Sequence, residues 1–458
     1  MRTPLGQGKT IPRSSESMFI RRHSLPFLSL IALLLSAGAA PILGAEPVPG
    51  TIVTVAGGGS LSPKAADGGP ASKAHLNSPL GLAVDAAGNL YIADPSWVQK
   101  VSPQGIITTV GGTGEMSLSG DEGPSTQAAI CFPSSLAFDS RGNLFIADVC
   151  NNRIRKIDPS GIITTVAGSG GTGYGRGSFD GDGGPATEAS LNGPIHITVD
   201  QNGDLYINDA FNQRFRKVDA ATGSISTVAG GGKQRGSAAD GHLATDAELL
   251  IKSAASDEFG GGLVILGDGS FLFSEFEGAR VRKVDPRGIL TTVAGNGKKG
   301  FAGDGGLATQ AILSRPLDLT MDSAGSLYIA DYDAGRVRKV DPTSGVITTA
   351  AKGLSGPTGM AIDADGNLYV TESKGGRVKK VIGVAAPGLI AGKPFPPRPG
   401  DLNADGKITL TDATLALRLV VGLWSATEAQ AKTADFDSSG KVDLADVLQI
   451  LRAAIGLT

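Results

Sequence analysis

PSSLAFDSRGNLFIADVCNNRIRKIDPSGIITTVAG, residues 133–168, holds four short apolar segments punctuated by turn residues. Leu144 to Asp148 and Arg153 to Asp158 alternate with a period of two, as strands do. Arg141-Gly142-Asn143 suits a tight hairpin between the first segment and the second. One such sheet would leave both faces open to water, so it needs neighbours.

Those neighbours are in the chain. The same pattern starts again at Pro79, Pro194, Gly262 and Pro316. A sixth copy starts at Pro357 but stops after its third segment, Arg377-Val-Lys-Lys-Val381. Its missing Thr-rich segment stands at the other end of the repeats, as Thr51-Ile-Val-Thr-Val-Ala-Gly57, with no repeat in front of it. Five whole repeats plus three strands at one end and one at the other predict six four-stranded sheets in a closed ring, an all-β, six-bladed β-propeller. From roughly Thr51 to Ile382 these residues resemble the bacterial NHL-repeat propellers, which are related to the propeller of teneurins. The resemblance speaks to fold. Its members include sensors, adhesion modules, RNA binders and a few lyases, so function must be argued from sites.

Between repeats sit inserts with their own signature: Asp67-Gly-Gly-Pro, Asp121-Glu-Gly-Pro, Asp182-Gly-Gly-Pro, Asp304-Gly-Gly-Leu and the looser Asp240-Gly-His-Leu. Pro70, Pro124 and Pro185, followed by Ala and then Leu76, Ile130 and Leu191, predict a helical turn capped by the acidic turn before it. The inserts emerge at the same end of the ring as the turns between second and third strands. They read either as a ring of ligand or cation contacts or as repeated turns that fasten adjacent blades. The second reading is favoured because each turn offers one or two acids and hard cations take six or more oxygens. A tight hairpin across Arg141-Gly142 also brings Cys131 and Cys150 together at that end. They read as a disulfide, worth about 3 kcal/mol on chain-entropy grounds, or as two buried thiols.

The net charge of −3 gives no reason to expect a polyanionic partner. The clusters Arg153-Ile-Arg-Lys, Arg214-Phe-Arg-Lys, Arg280-Val-Arg-Lys and Arg336-Val-Arg-Lys are split between two faces by alternation. Their following acids Asp158, Asp219, Asp285 and Asp341 suggest local pairing on a solvated rim, so no nucleic acid is expected. Gly168-Ser-Gly-Gly-Thr-Gly173 and Gly295-Asn-Gly-Lys-Lys-Gly300 match a dinucleotide fingerprint, but neither opens a helix after a βαβ strand. Catalysis finds little support. The histidines beyond His23 are His75, His196 and His242, and only His196 lies near an inner strand. Asp94, Asp148, Asp209, Glu275, Asp331 and Glu372 recur once per repeat, which is how a structural position behaves. No catalytic residue is assigned.

Residues 1–45 read as an export signal: Arg21-Arg22, an apolar run from Leu25 to Ala37, then small residues with cleavage near Ala39 to Ala45. Met18 is an alternative start to Met1. No membrane span is expected. The domain reading is therefore a leader at 1–45, a propeller at 50–385, a Pro-rich linker at 386–400 and a small all-α calcium-binding domain at 401–458.

That last segment holds two loops: Asp401, Asn403, Asp405, Lys407, Thr409, Asp412, and Asp435, Asp437, Ser439, Lys441, Asp443, Asp446. Side-chain oxygens stand at loop positions 1, 3, 5, 9 and 12, glycine (Gly406, Gly440) at 6, and the lysine at 7 offers its carbonyl, the pattern of a calcium loop. Each leads into an amphipathic helix. Paired loops ending in Asp resemble type I dockerin domains, which implies two Ca²⁺ ions and a cohesin-like partner. The recognition positions, Leu410-Thr411 and Leu444-Ala445, are more apolar than the usual hydroxyl pair. The whole chain is thus expected to be a secreted, non-catalytic binding protein with a protein or glycan ligand on its propeller face. The alternative is a carbohydrate-active or lactonase/lyase-type propeller enzyme carried by the same tail.

Overall fold

Six four-stranded antiparallel sheets make up the structure, a computed structural model that describes residues 48–173, 175–251, 260–387 and Val447. Blade 2 shows the plan, with strands Pro133–Phe138, Leu144–Asp148, Arg153–Ile157 and Ile163–Ala167 in sequence order from the axis outward. Blades 1, 3, 4 and 5 repeat it, their inner strands being Leu82–Val84, Pro194–Val199, Leu263–Ile265 and Pro316–Met321. Blade 6 has Pro357–Ile362, Leu368–Glu372 and Arg377–Val381, and its outer strand is Ile52–Gly57 from the start of the propeller. The register runs from Ile52 opposite Val381 to Gly57 opposite Arg377. The predicted ring closure is thus what the chain does.

Apolar residues of facing blades meet in layers between the sheets. Blades 2 and 3 bury Ala137, Phe145, Ile154, Ile197, Ile207 and Ile225 together. At the boundary of blades 3 and 4, Phe215 and Phe273 lie 4.5 Å apart between ring centroids.

The inserts do not stand up from the end where they emerge. Each folds against its own blade's outer strand, with Pro70 bridging to Ile106, Pro124 to Ile162, Pro185 to Ser224, Leu243 to Ile289 and Leu307 to Val346. Their small and apolar residues seal the seams: Ala128 and Ile130, Ala189 and Leu191, and Ala311 and Leu313 are all essentially inaccessible. The expected capped helical turn is a single 3-10 turn, as at Ala71–Lys73 and Ser125–Gln127, and no side chain caps it. The acid that would have done so is engaged elsewhere, as described below.

The chain enters and leaves the ring at one end. Gly50 N–H donates to Ile382 O at 2.6 Å. Ala386 N–H donates to the Asp322 carboxylate at 3.0 Å, and Ser323 Oγ to Pro387 O at 2.6 Å, beside the turn between the first two strands of blade 5. The opposite end carries the starts of the inner strands and the turns between second and third strands.

Because the Ile52–Gly57 ribbon supplies the last blade's outer ladder, removing residues 48–57 should lower stability by about 3 kcal/mol or more and expose the Arg377–Val381 edge to pairing between molecules. Thermal unfolding and sedimentation of the shortened chain check this; an unchanged melting temperature would mean the closure contributes nothing.

Candidate functional site

Residues that recur in four of the six repeats converge on one motif between the sheets. The second basic residue of each cluster sits at the middle of the third strand, pointing inward, and Arg155, Arg216, Arg282 and Arg338 are at most 1% exposed. Arg155 reaches Asp148 at 3.3 Å and Asp121, the insert acid, at 2.7 Å. Arg216 holds Asp209 and Asp182, Arg282 holds Glu275 and Asp240, and Arg338 holds Asp331 and Asp304. The other oxygen of each insert acid accepts from a threonine of the outer strand, as in Thr165 Oγ1 to Asp121 Oδ2 at 2.7 Å. This corrects the solvated-rim reading. Asp158 does not pair with the cluster before it but accepts from Ser160 and Ile162 in its own turn.

The strand-two acids do a second job. Asp148 accepts the Cys131 N–H at 2.8 Å, Asp209 the Asn192 N–H at 2.7 Å, and Glu372 the Ser355 N–H at 2.8 Å, pinning the chain as it turns into the inner strand. Burial pushes the carboxyls of Asp148, Asp209 and Asp331 up to about 6, against the lowering pull of these hydrogen bonds and of the arginines. Neither set of acids is left as an open ring for a cation.

Two blades depart from the rule. Blade 6 has no insert before it and places Lys379 at this position, 3.8 Å from Glu372. Blade 1 has both acids, Asp94 and Asp67, but Gln99 in place of arginine, and both polar atoms of that fully buried amide lack partners.

At the end where the inner strands start, Cys131 and Cys150 face one another as buried, unbridged thiols, with Cys150 N–H donating to Cys131 O at 3.2 Å. Contact between the sulfurs pulls Cys131 below the usual thiol range, and the same contact with burial pushes Cys150 up. Beside them the chain takes a left-handed turn just before the leading proline. Glycine serves there in two blades (Gly193, φ 59°; Gly356, φ 64°), but Phe132 (φ 54°) and Arg315 (φ 60°) adopt the same conformation, at about 1–2 kcal/mol each for a residue with a Cβ. Phe132 stands 37% exposed, near the still more exposed Met116.

Met116, Phe132 and Cys150 line an axial channel of about 1360 Å³ bounded by the six inner strands. One level of it consists of the equivalent residues Gly81, Ser135, His196, Gly262, Asp318 and Gly359, each two places after the leading proline in the five blades that have one. His196 Nε2 lies 2.8 Å from Asp318 Oδ1, joining blades 3 and 5 past the glycines of blade 4. Asp318 also accepts the backbone N–H groups of Leu319 at 2.7 Å and Met360 at 2.6 Å. Sequence reasoning noted His196 without its partner; the signal available was a His and an Asp where the other blades place Gly or Ser. The loop residues Asp401, Asn403, Asp405, Lys407, Thr409, Asp412, Asp435, Asp437, Ser439, Lys441, Asp443 and Asp446 lie outside the described residues.

Fold and clamps together define a propeller of six repeated wedges, and the comparisons give that class its family. A model of the teneurin NHL domain matches residues 59–119, one of the NHL repeat matches 131–157, and one of the dockerin type I domain matches 399–453. Mouse Teneurin-1 is 26% identical over 288 residues, 60% of this chain but 8% of the relative, so the chain spans less than a tenth of that protein. A Bacteroides thetaiotaomicron protein of unknown function superposes with a TM-score of 0.51 at 17% identity, over 72% of this chain and 74% of that one. An auxiliary nutrient binding protein from Bacteroides ovatus does so with a TM-score of 0.50 at 15% identity, over 72% and 75%. The chain is an NHL-repeat six-bladed β-propeller, related to that of teneurins and joined to a type I dockerin segment. No helix among the described residues is long and apolar enough to cross a membrane.

The clamp yields a paired test. Arg338→Met should cost about 3–5 kcal/mol, because two acids lose their buried cation. Gln99→Arg should gain about 1–2 kcal/mol by supplying one to Asp94 and Asp67. Chemical denaturation of both variants decides, and a neutral Arg338→Met would remove the clamp from the account of stability. The cysteines yield another: protein made in an oxidising compartment and alkylated while denatured, without reductant, should take up no label at Cys131 or Cys150. Two labels would mean that they remain thiols.

Proposed function

We propose that this is a secreted, non-catalytic binding protein whose propeller holds a protein or glycan ligand at the channel-mouth end. In this reading residues 401–458 fold on two Ca²⁺ ions and dock to a cohesin-like module. The observation that carries it is the dockerin type I match to residues 399–453, where oxygen donors stand at calcium-loop positions in both halves. The export-signal pattern in the sequence of residues 1–45 supports export, and the placement of Cys131 beside Cys150 suits an oxidising destination. The entry and exit of the chain at the end away from the mouth support simultaneous docking and ligand binding.

The enzyme alternative asks for several convergent acids or histidines around one open point. The strand-two acids, the most promising set in the sequence, are turned between the blades instead, each pinning the backbone ahead of its inner strand, as Asp94 does with Asn77 and Ser78.

Calorimetry on the full chain should find two calcium sites. Asp412→Ala and Asp446→Ala should each weaken one of them more than tenfold, since each removes the closing ligand of its loop. Capture by an immobilised cohesin module should occur in calcium and vanish in EGTA. Calcium binding without capture would leave the tail as a stabiliser with no partner of that kind.

A further inference from the structure

The axial channel has features that a structural plug does not need. Some backbone carbonyls along it are already used: Ser134 Oγ donates to Ile195 O at 2.6 Å, Ser274 Oγ to Leu317 O at 2.8 Å, and Thr371 Oγ1 to Leu80 O at 2.8 Å, each bond crossing to the next blade. Among the described lining side chains, the buried polar atom left without a partner is Nδ1 of His196. With Nε2–H donated to the Asp318 carboxylate, Nδ1 presents a lone pair. At the mouth above it, Phe132 stays partly exposed in a backbone conformation that glycine fills in other blades, and Met116 is 54% exposed beside the same opening. An apolar rim held at the cost of strain and an unsatisfied acceptor below it are separate observations, and both call for something in the channel.

We infer that the channel is a binding site for a small amphipathic molecule: an aromatic or aliphatic body seated at Met116 and Phe132, with one hydroxyl or N–H donor directed to the His196–Asp318 pair. Its volume accommodates a drug-sized molecule. An anion would face the Asp318 carboxylate, which already accepts from His196 and two backbone N–H groups, and would meet no lysine or arginine among the described lining residues. Nδ1 is covered in this state while the His196 side chain keeps 20% of its surface open, so seating the donor entails a small turn of the imidazole. Its occupancy should be the same in calcium or EGTA.

The test uses 2-naphthol, which has an aromatic body and one donor, and 2-methoxynaphthalene, which keeps the body and loses the donor. Fluorescence titration of the full chain should give saturable one-to-one binding of 2-naphthol and roughly tenfold weaker binding of the ether, the ratio expected for one buried hydrogen bond. His196→Leu should erase the preference, bringing the two affinities together. Phe132→Gly should weaken both probes at least several-fold while melting no lower than the parent, since glycine suits that backbone; it keeps the test decisive if the histidine variant misfolds. Absence of saturable binding up to millimolar 2-naphthol, or binding unchanged in both variants, would overturn the inference.

Discussion

A guanidinium held between two carboxylates, one from the blade's second strand and one from the insert ahead of that blade, is the interaction on which this ring rests. Its geometry explains why the residue is arginine. The planar fork can face two acids at once, and it stays charged when buried. A lone buried cation would be costly to desolvate, but here each has two anions, and at Arg155 the carbonyls of Ser119 and Ala129 take further N–H groups. Lysine appears at the equivalent position in blade 6, where no insert acid exists to require a second arm.

The clamp also accounts for the repeat's vocabulary. Strand two must end in an acid, strand three must carry its arginine at the inward position, and the insert must open with an acid and tight glycines so that it can lie along the outer strand. Threonine follows at the outer strand because the insert acid's second oxygen needs a donor. Four elements that look independent in the sequence are therefore one device, and each copy fastens an insert that fills the seam with Ala and Leu or Ile. The inserts look like decoration in one dimension but act as mortar in three.

This explains which parts of the molecule could be read from the chain. Ring closure was legible because strand period, turn residues and the displaced Thr51–Gly57 copy are local patterns, and counting them leaves one arrangement. The adjacency of Cys131 and Cys150 followed from one hairpin. The role of Arg155 was not legible, since Asp121 and Asp148 stand 34 and 7 residues away, while Asp158, three residues on, was the nearer candidate. Alternation showed that the cluster divides between two faces but not that one face is sealed by the insert. His196 and Asp318 are 122 residues apart; their meeting depends on how far across the axis blades 3 and 5 stand and on Gly261 and Gly262 leaving room, neither of which is a local property.

The division of labour between the two ends follows from the strand count. Each blade has an even number of strands, so every insert starts and finishes at the same end, and the turns between second and third strands gather there. Closure by an N-proximal outer strand breaks that parity once. Blade 6 contributes three strands from the end of the repeats, so the chain must leave at the far end, next to where Val48 to Gly50 arrived. A propeller closed instead within a single repeat would send both of its ends out at the mouth. The offset of Ile52–Gly57 thus stabilises the ring and also sets the end of it at which the chain enters and leaves.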